Sequence, residues 1–134
     1  MSNVLFICIA NSGRSVMAER IMRARFGDRH EARSAGSAPG SGTHPVVLEA
    51  LDEIGIDARD HVPRAIDDAT VGWADVVVST CGEEACPVTP PGTKRIYWTL
   101  EDPKDQPIER VRELRDEIGR RVELLARELD ATPV

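Results

Sequence analysis

Apolar and polar positions follow two different periods along the chain, and these separate predicted strands from predicted helices. Short apolar runs at residues 4–8 and 75–79 are typical of buried parallel strands, because both faces of such a strand are covered. Residues 31–34 and 94–98 predict two further short strands. The pattern therefore predicts four strands, spread over most of the chain.

Between these strands, apolar side chains recur every three or four residues, as on the buried face of a helix. Residues 15–26, 45–54 and 65–71 predict three helices, and Thr43 is expected to cap the second. The clearest helical pattern lies near the end of the chain and consists of Ile108, Val111, Leu114, Ile118, Val122, Leu125 and Leu129. It predicts a long last helix.

Alternation of strands with helices defines the predicted fold class. Strands joined by helical crossovers form a parallel sheet, so the chain is predicted to be an α/β protein with a small four-stranded parallel sheet and helices on both faces. The length of 134 residues fits one domain, residues 1–134, with a core that needs no covalent support.

Composition narrows the functional class. The formal net charge of −6 argues against nucleic acid as a partner, because contacts to phosphate dominate such binding. There is no apolar run long enough to cross a bilayer and no basic, apolar leader, so a cytoplasmic location is expected. In that reducing compartment the three cysteines are better explained as working thiols than as a disulfide framework.

The candidate chemistry begins where the first strand ends, at Cys8. A short polar loop follows, with Arg14 and Ser15 at the start of the next helix. Backbone N–H groups of such a loop converge on an anion, and the helix start adds its positive end, which also stabilises a thiolate at Cys8. A nucleotide-binding loop fits less well, since it needs Gly-Lys-Ser/Thr. The predicted oxyanion-binding residues are Ile9, Ala10, Asn11, Ser12, Gly13 and Arg14.

Two further chemical groups follow other strands of the predicted sheet. Cys81 comes after the third strand and Asp102 after the fourth, and ligands of parallel sheets bind beyond the carboxyl ends of the strands. Displacement at a phosphate-like centre needs a group that protonates the departing oxygen, and Asp102 is the candidate. The alternative is that Asp102 simply starts a turn before a proline.

Cys81 has a second thiol nearby in the sequence, Cys86. A loop rich in Gly and Pro joins them, and this spacing permits a disulfide if the loop moves. Structural zinc is the alternative, but it needs four ligands, and His30, His44 and His61 have no ligand-like spacing. These histidines are expected at the surface or at helix caps. A redox relay is the favoured interpretation, and inert thiols are the other.

Taken together, these motifs resemble the thioredoxin-coupled arsenate reductase family, which shares the fold of the low-molecular-weight protein tyrosine phosphatases. The resemblance covers nearly the whole chain. It is carried by the loop at residues 8–15 and by residues 17–19, 34–36, 74–77, 81–82, 86–87, 90–91, 98, 102–103 and 112–118.

The resemblance implies a mechanism and a site. Arsenate, or phosphate or sulfate as its mimic, would bind in the loop against Arg14, and the Cys8 thiolate would attack arsenic. Asp102 would protonate the leaving oxygen, and a hydrogen bond from Ser15 would keep the sulfur ionised. These residues would therefore be catalytic.

For the electrons, the resemblance implies a relay of three cysteines. Cys81 would attack Cys8 and release arsenite, and Cys86 would then attack Cys81. Reduced thioredoxin, rather than a tightly bound cofactor, would reduce the resulting disulfide, and the protein is expected to be a monomer without nucleic-acid or membrane partners.

Three alternatives remain open from the sequence. A low-molecular-weight thiol such as mycothiol or glutathione, with a glutaredoxin-like partner, could replace thioredoxin. The chain could be a low-molecular-weight protein tyrosine phosphatase, or a sensor that binds oxyanions without turnover. Potassium-binding members of the family use residues matched here by Asn11, Glu19 and Ser34, but Arg64 falls at a further ligand position, so no metal is predicted.

Overall fold

The computed structural model describes residues 2–81, 89 and 91–131, and its centre is a four-stranded parallel sheet. The strands are β1 (Ser2–Cys8), β2 (His30–Gly36), β3 (Val76–Ser79) and β4 (Lys94–Tyr97). Their order in the sheet is β2-β1-β3-β4, and every neighbouring pair is parallel. The predicted fold class is therefore confirmed, and β1 lies in the middle of the sheet.

Helices cover both faces of this sheet. They are α1 (Arg14–Phe26), α2 (Pro45–Asp52), α3 (Asp68–Trp73) and α4 (Ile108–Ala131). Because side chains of a strand alternate between faces, β1 contributes to two cores. Val4 and Phe6 pack with α1, α2 and α4, whereas Leu5 and Ile7 pack on the other face with Val71 of α3.

The cap of α2 and the start of α3 differ from the sequence prediction. Thr43 does not cap α2: the N-cap residue is His44, and the Thr43 hydroxyl is buried without a hydrogen-bond partner among the described residues. Pro45 begins the helix instead, as its fixed φ allows. Helix α3 begins at Asp68 rather than near Ala65, because Ala65 is bridged to the end of β2 and the Asp67 side chain accepts from Thr70 N.

The strand order decides where a ligand can bind. From β1 the chain crosses to β2 on one side, and it later returns to β3 on the other side. The crevice beyond such a switch point is the usual ligand site of a parallel sheet. Cys8 is the last residue of β1 and therefore lies at this crevice.

A glycine at the end of β2 lets the chain pass close to the loop that follows β1. A Cβ atom on Gly36 would lie 2.4 Å from the Ile9 carbonyl oxygen and 2.9 Å from the Asn11 nitrogen. Both are backbone atoms and cannot turn aside, so only glycine allows this approach.

Among the described helices, none is both long enough and apolar enough to cross a membrane.

Candidate active site

The Cys8 sulfur is buried at the end of β1 and has two hydrogen-bond partners. The Ser15 Oγ atom lies 2.9 Å from Cys8 Sγ, and the backbone N–H of Asn11 donates to the same sulfur at 3.2 Å. Cys8 itself is 3 % exposed. Both partners therefore hold the sulfur in place at the end of β1, where it can act as a nucleophile.

Asn11 orients both hydrogen-bond donors of the Cys8 sulfur, its own backbone N–H and the Ser15 hydroxyl. Its backbone has a φ of 51°, a left-handed conformation that Asn tolerates better than most residues. Its Nδ2 group donates to Ser15 Oγ at 2.9 Å, so the Ser15 oxygen already accepts a hydrogen bond. The hydroxyl proton of Ser15 is therefore left to donate to the Cys8 sulfur.

Asn11 is itself fixed by hydrogen bonds to His61 and Arg64, which lie in the segment before α3. The Asn11 Oδ1 atom accepts from the backbone N–H of Arg64 at 3.1 Å, and His61 Nε2 lies 3.1 Å from the Asn11 carbonyl oxygen. A carbonyl can only accept, so His61 carries its proton on Nε2. Burial is the main cause that lowers the pKa of His61 below its usual value, and it favours the neutral ring.

Helix α1 begins directly at the loop and faces the site with its first turn. Its N-cap residue is Gly13, which has no side chain to occupy the first backbone N–H groups. Such a start binds anions through those N–H groups and the helix dipole. Arg14 Nη1 donates to the Leu100 carbonyl at 3.1 Å, and the guanidinium lies on the wall of the pocket over the loop with donors left for an anion.

A pocket of about 450 Å³ opens over this loop. Its walls are formed by Cys8, Ile9, Ala10, Ser12, Gly13, Arg14, Gly40, Ser41, Gly42, His44, Asp102 and Lys104. Five of the six predicted oxyanion-binding residues thus lie on the wall. Asn11 is placed differently, since it is fully buried and directs its N–H and side chain to Cys8 and Ser15.

Asp102 lies on the pocket wall and also in a turn. Its Oδ1 atom accepts from the backbone N–H of Lys104 at 3.0 Å, and the residue is exposed. The two interpretations of the sequence, a turn and a proton donor, are therefore compatible. The turn places this carboxyl group beside the pocket that contains Cys8.

The other two cysteines differ in what the structure describes. Cys81 is half-buried, follows β3, is bridged through its backbone to Thr99, and has its sulfur 3.9 Å from Ser79 Oγ. It is not among the residues that form the pocket wall. Cys86 lies outside the described residues. The relay predicted from the sequence requires the Cys81 sulfur to come into contact with Cys8 Sγ.

Glu19 and Ser34, two residues matched to a cation site in relatives, are bonded to each other. Ser34 Oγ donates to Glu19 Oε1 at 3.0 Å, and the Arg20 guanidinium pairs with Glu19 Oε2 at 2.9 Å. The buried Glu19 carboxylate already has an arginine as its ion-pair partner, so Glu19 and Ser34 do not fit a cation site. No group of three or more His, Cys, Asp or Glu side chains suited to a metal occurs in the part of the chain that the structure describes.

Sequence reasoning missed three residues around the site, which are His61, His44 and Lys104. His61 was expected at the surface or at a cap but is buried, as is His30 at the far end of β2. His44 does take a cap position, and it also forms part of the pocket wall together with Lys104. The only available signal was position: His44 and Lys104 lie in the loops that follow β2 and β4, whose ends share one edge of the sheet.

A parallel sheet that carries a buried cysteine, an arginine and an open helix start around one pocket defines a phosphatase-like class of oxyanion-binding proteins. The pattern of the family described as "Low molecular weight phosphotyrosine protein phosphatase" matches residues 3–133. The chain belongs to this family.

Individual relatives within the family are arsenate reductases. The chain is 38% identical over 125 residues to Arsenate reductase 1 of Bacillus cereus (strain ATCC 10987 / NRS 248), covering 92% of each protein. A structure of a thioredoxin-dependent arsenate reductase of Corynebacterium glutamicum matches 97% of this chain with a TM-score of 0.82 and 36% identity. This chain spans 62% of the length of that chain.

A further solved structure is that of an oxyanion-binding relative. An arsenate reductase in the phosphate-binding state matches 96% of this chain and 98% of its own, with a TM-score of 0.83 and 33% identity. The resemblance to arsenate reductases with a phosphatase-like fold is therefore confirmed by sequence and by structure.

Proposed function

We propose that this protein reduces arsenate to arsenite with a relay of three cysteines and that reduced thioredoxin regenerates it. The observation that carries the proposal is the Cys8 sulfur, which receives hydrogen bonds from Asn11 and Ser15 at the base of a pocket that also contains Arg14 and Asp102. The identity to arsenate reductases supports the choice of arsenic over phosphorus.

In the first step, arsenate binds to the loop N–H groups, the start of α1 and the Arg14 guanidinium. A related arsenate reductase in a phosphate-binding state supports oxyanion binding. The Cys8 thiolate attacks arsenic and forms a sulfur–arsenic bond, while one arsenic–oxygen bond breaks. Asp102 gives the proton with which that oxygen leaves as water.

In the second step, arsenic receives two electrons. The Cys81 thiolate attacks Cys8 Sγ, and the electron pair of the breaking sulfur–arsenic bond goes to arsenic, which leaves as arsenite. The product is a Cys8–Cys81 disulfide. The Cys86 thiolate then attacks Cys81, so that Cys8 leaves as a thiolate and a Cys81–Cys86 disulfide remains.

Thioredoxin is the proposed source of the next two electrons, because a protein disulfide is the natural substrate of a dithiol reductant. The thioredoxin dependence of the Corynebacterium relative supports this choice. We also propose a cytoplasmic location, since free thiols persist in a reducing compartment.

The test is arsenate-dependent oxidation of NADPH in the presence of thioredoxin and thioredoxin reductase. Wild-type protein is expected to turn over, and Cys8→Ser, Cys81→Ser and Cys86→Ser are each expected to lose turnover. Full thioredoxin-linked activity of Cys81→Ser or Cys86→Ser would contradict the relay. A different outcome is turnover that needs only Cys8 and depends on glutathione or mycothiol with a glutaredoxin-like protein. That result would show that a low-molecular-weight thiol, and not thioredoxin, is the electron donor.

A phosphatase is the second candidate, because the family description names one and the pocket holds a nucleophile, an arginine and an acid. Hydrolysis of p-nitrophenyl phosphate distinguishes the two. Efficient release of nitrophenol with no reduction of arsenate would favour the phosphatase over the reductase.

A further inference from the structure

The pocket over the Cys8 loop is larger than a tetrahedral oxyanion requires. Its volume is about 450 Å³. Four oxygens of water size take up roughly 120 Å³ at about 30 Å³ each. Pockets of about 300–1,000 Å³ hold small organic molecules. An oxyanion at the loop therefore leaves more than half of the pocket for a group attached to it, and we call this remaining space the outer half.

The first wall of this outer half is the segment from Gly40 to His44. It runs beside the loop and is bonded to it through the backbone: Gly40 N donates to the Ala10 carbonyl at 2.9 Å, and His44 N donates to the Ser12 carbonyl at 3.0 Å. These bonds fix the wall relative to the loop that binds the oxyanion.

The second wall is the turn from Asp102 to Lys104, and both walls meet at Gly13. A Cβ atom on Gly13 would lie 2.6 Å from Pro103 Cγ and 3.4 Å from His44 Cδ2. Pro103 is buried, so it anchors the turn that carries Asp102 and Lys104. The outer half is thus a preformed cleft, and ligand binding does not have to order it.

The outer half presents a cation, Lys104, for which no described residue supplies an ion-pair partner. Among the described residues, no ion pair involves the Lys104 ammonium group, and the His44 ring makes no hydrogen bond. Among the described residues of the wall, Arg14 and Lys104 are the cations and Asp102 is the one carboxyl group. An anionic group is therefore the natural partner of this half, in a chain whose formal net charge is −6.

We propose that the outer half is a carboxylate subsite, so that the pocket binds small organic phosphates that carry a carboxylate. Their phosphate group occupies the oxyanion loop, and their carboxylate lies against Lys104 with the His44 ring N–H as a second donor. The inference goes beyond arsenate reduction, but it rests on the proposed oxyanion site at the loop.

The test uses phosphonates, whose carbon–phosphorus bond the enzyme does not hydrolyse. Isothermal titration calorimetry compares 3-phosphonopropanoate with its amide, which has the same shape and no carboxylate charge. The wild-type protein is expected to bind the carboxylate about 3- to 10-fold more tightly than the amide. Lys104→Gln should bring this ratio to about one, and Lys104→Arg should retain it.

Lys94→Gln is the matched control, because Lys94 lies on β4 and pairs with Glu128, away from the pocket. It should keep the wild-type ratio. Equal affinity of wild-type protein for the carboxylate and the amide would overturn the subsite, as would a preference that survives in Lys104→Gln. Methylphosphonate separates the two proposals: if it binds without a preference for the carboxylate, only the subsite fails, and if it does not bind, the oxyanion site fails as well.

Discussion

At the scale of single residues, the Cys8 sulfur depends on a neighbour that does not touch the pocket. Asn11 adopts a left-handed conformation, and this turns its N–H to the sulfur and its side chain to Ser15. The Asn11 N–H and the Ser15 hydroxyl thus serve the sulfur, whereas the proposed oxyanion site uses the other loop N–H groups and Arg14.

Ser15→Ala tests the hydroxyl bond to the sulfur. Removing the O–H donor leaves the Cys8 thiolate with one hydrogen bond fewer, so alkylation of Cys8 by iodoacetamide at neutral pH should slow. Arsenate turnover should fall by about 10- to 100-fold, the usual effect of losing a hydrogen bond to a charged group. Ser37→Ala is the control, because that exposed side chain makes no contact with the sulfur. A wild-type alkylation rate in Ser15→Ala would refute this role.

His61 makes stability depend on pH. Burial lowers its pKa in the folded protein below the ordinary value of 6.5, so the unfolded chain takes up a proton more readily. Its contribution is present above about pH 6.5 and is lost as the pH falls through the folded-state pKa. Urea unfolding at several pH values should show a shallower decline for His61→Gln than for wild type. Identical slopes in both proteins would contradict this prediction.

Sequence reasoning found the reactive residues of the loop but not those that support it. Cys8, Arg14 and Ser15 carry a signal because their spacing follows a strand and precedes a helix. His61 has no such signal, since it reaches the Asn11 carbonyl across 50 positions of sequence. Contacts of that kind follow from the fold and not from local pattern.

At the scale of elements, long periodic segments were predictable and short starts were not. The apolar positions that recur every three or four residues near the end of the chain predicted a long last helix, and the structure places it at Ile108–Ala131. Helix α2 begins at Pro45 as predicted, but its N-cap residue is His44 instead of Thr43. Helix α3 begins later than predicted because Ala65 is bridged to Gly36, a contact outside the local sequence.

Gly36→Ala tests the close approach of β2 to the loop. Its added Cβ would meet the backbone of Ile9 and Asn11, so the loop must shift. The free energy of unfolding should fall by about 1–3 kcal/mol, and phosphate should bind more weakly. Gly72→Ala is the control, because a Cβ there meets nothing within 4 Å. Urea unfolding and phosphate titration measure both effects, and wild-type values for Gly36→Ala would contradict the account.

At the scale of the whole molecule, strand order brings the chemistry together. Alternating strands and helices predicted a parallel sheet, but only the structure shows that β1 is central and that Cys8 lies at the switch point. The walls of the pocket come from loops after β1, β2 and β4, so His44 and Lys104 meet Cys8 only in the folded chain. The anion site is thus a property of topology as much as of the loop.

The central claim is that this site transfers two electrons from thiols to arsenic, and a single turnover tests it directly. Fully reduced protein is mixed with one equivalent of arsenate in the absence of any other reductant, and arsenite and remaining thiols are counted. The account predicts one arsenite and the loss of two thiols per protein, with neither change in Cys8→Ser or when phosphate replaces arsenate. Unchanged arsenate beside intact thiols, or arsenite formed by Cys8→Ser at the wild-type rate, would contradict it.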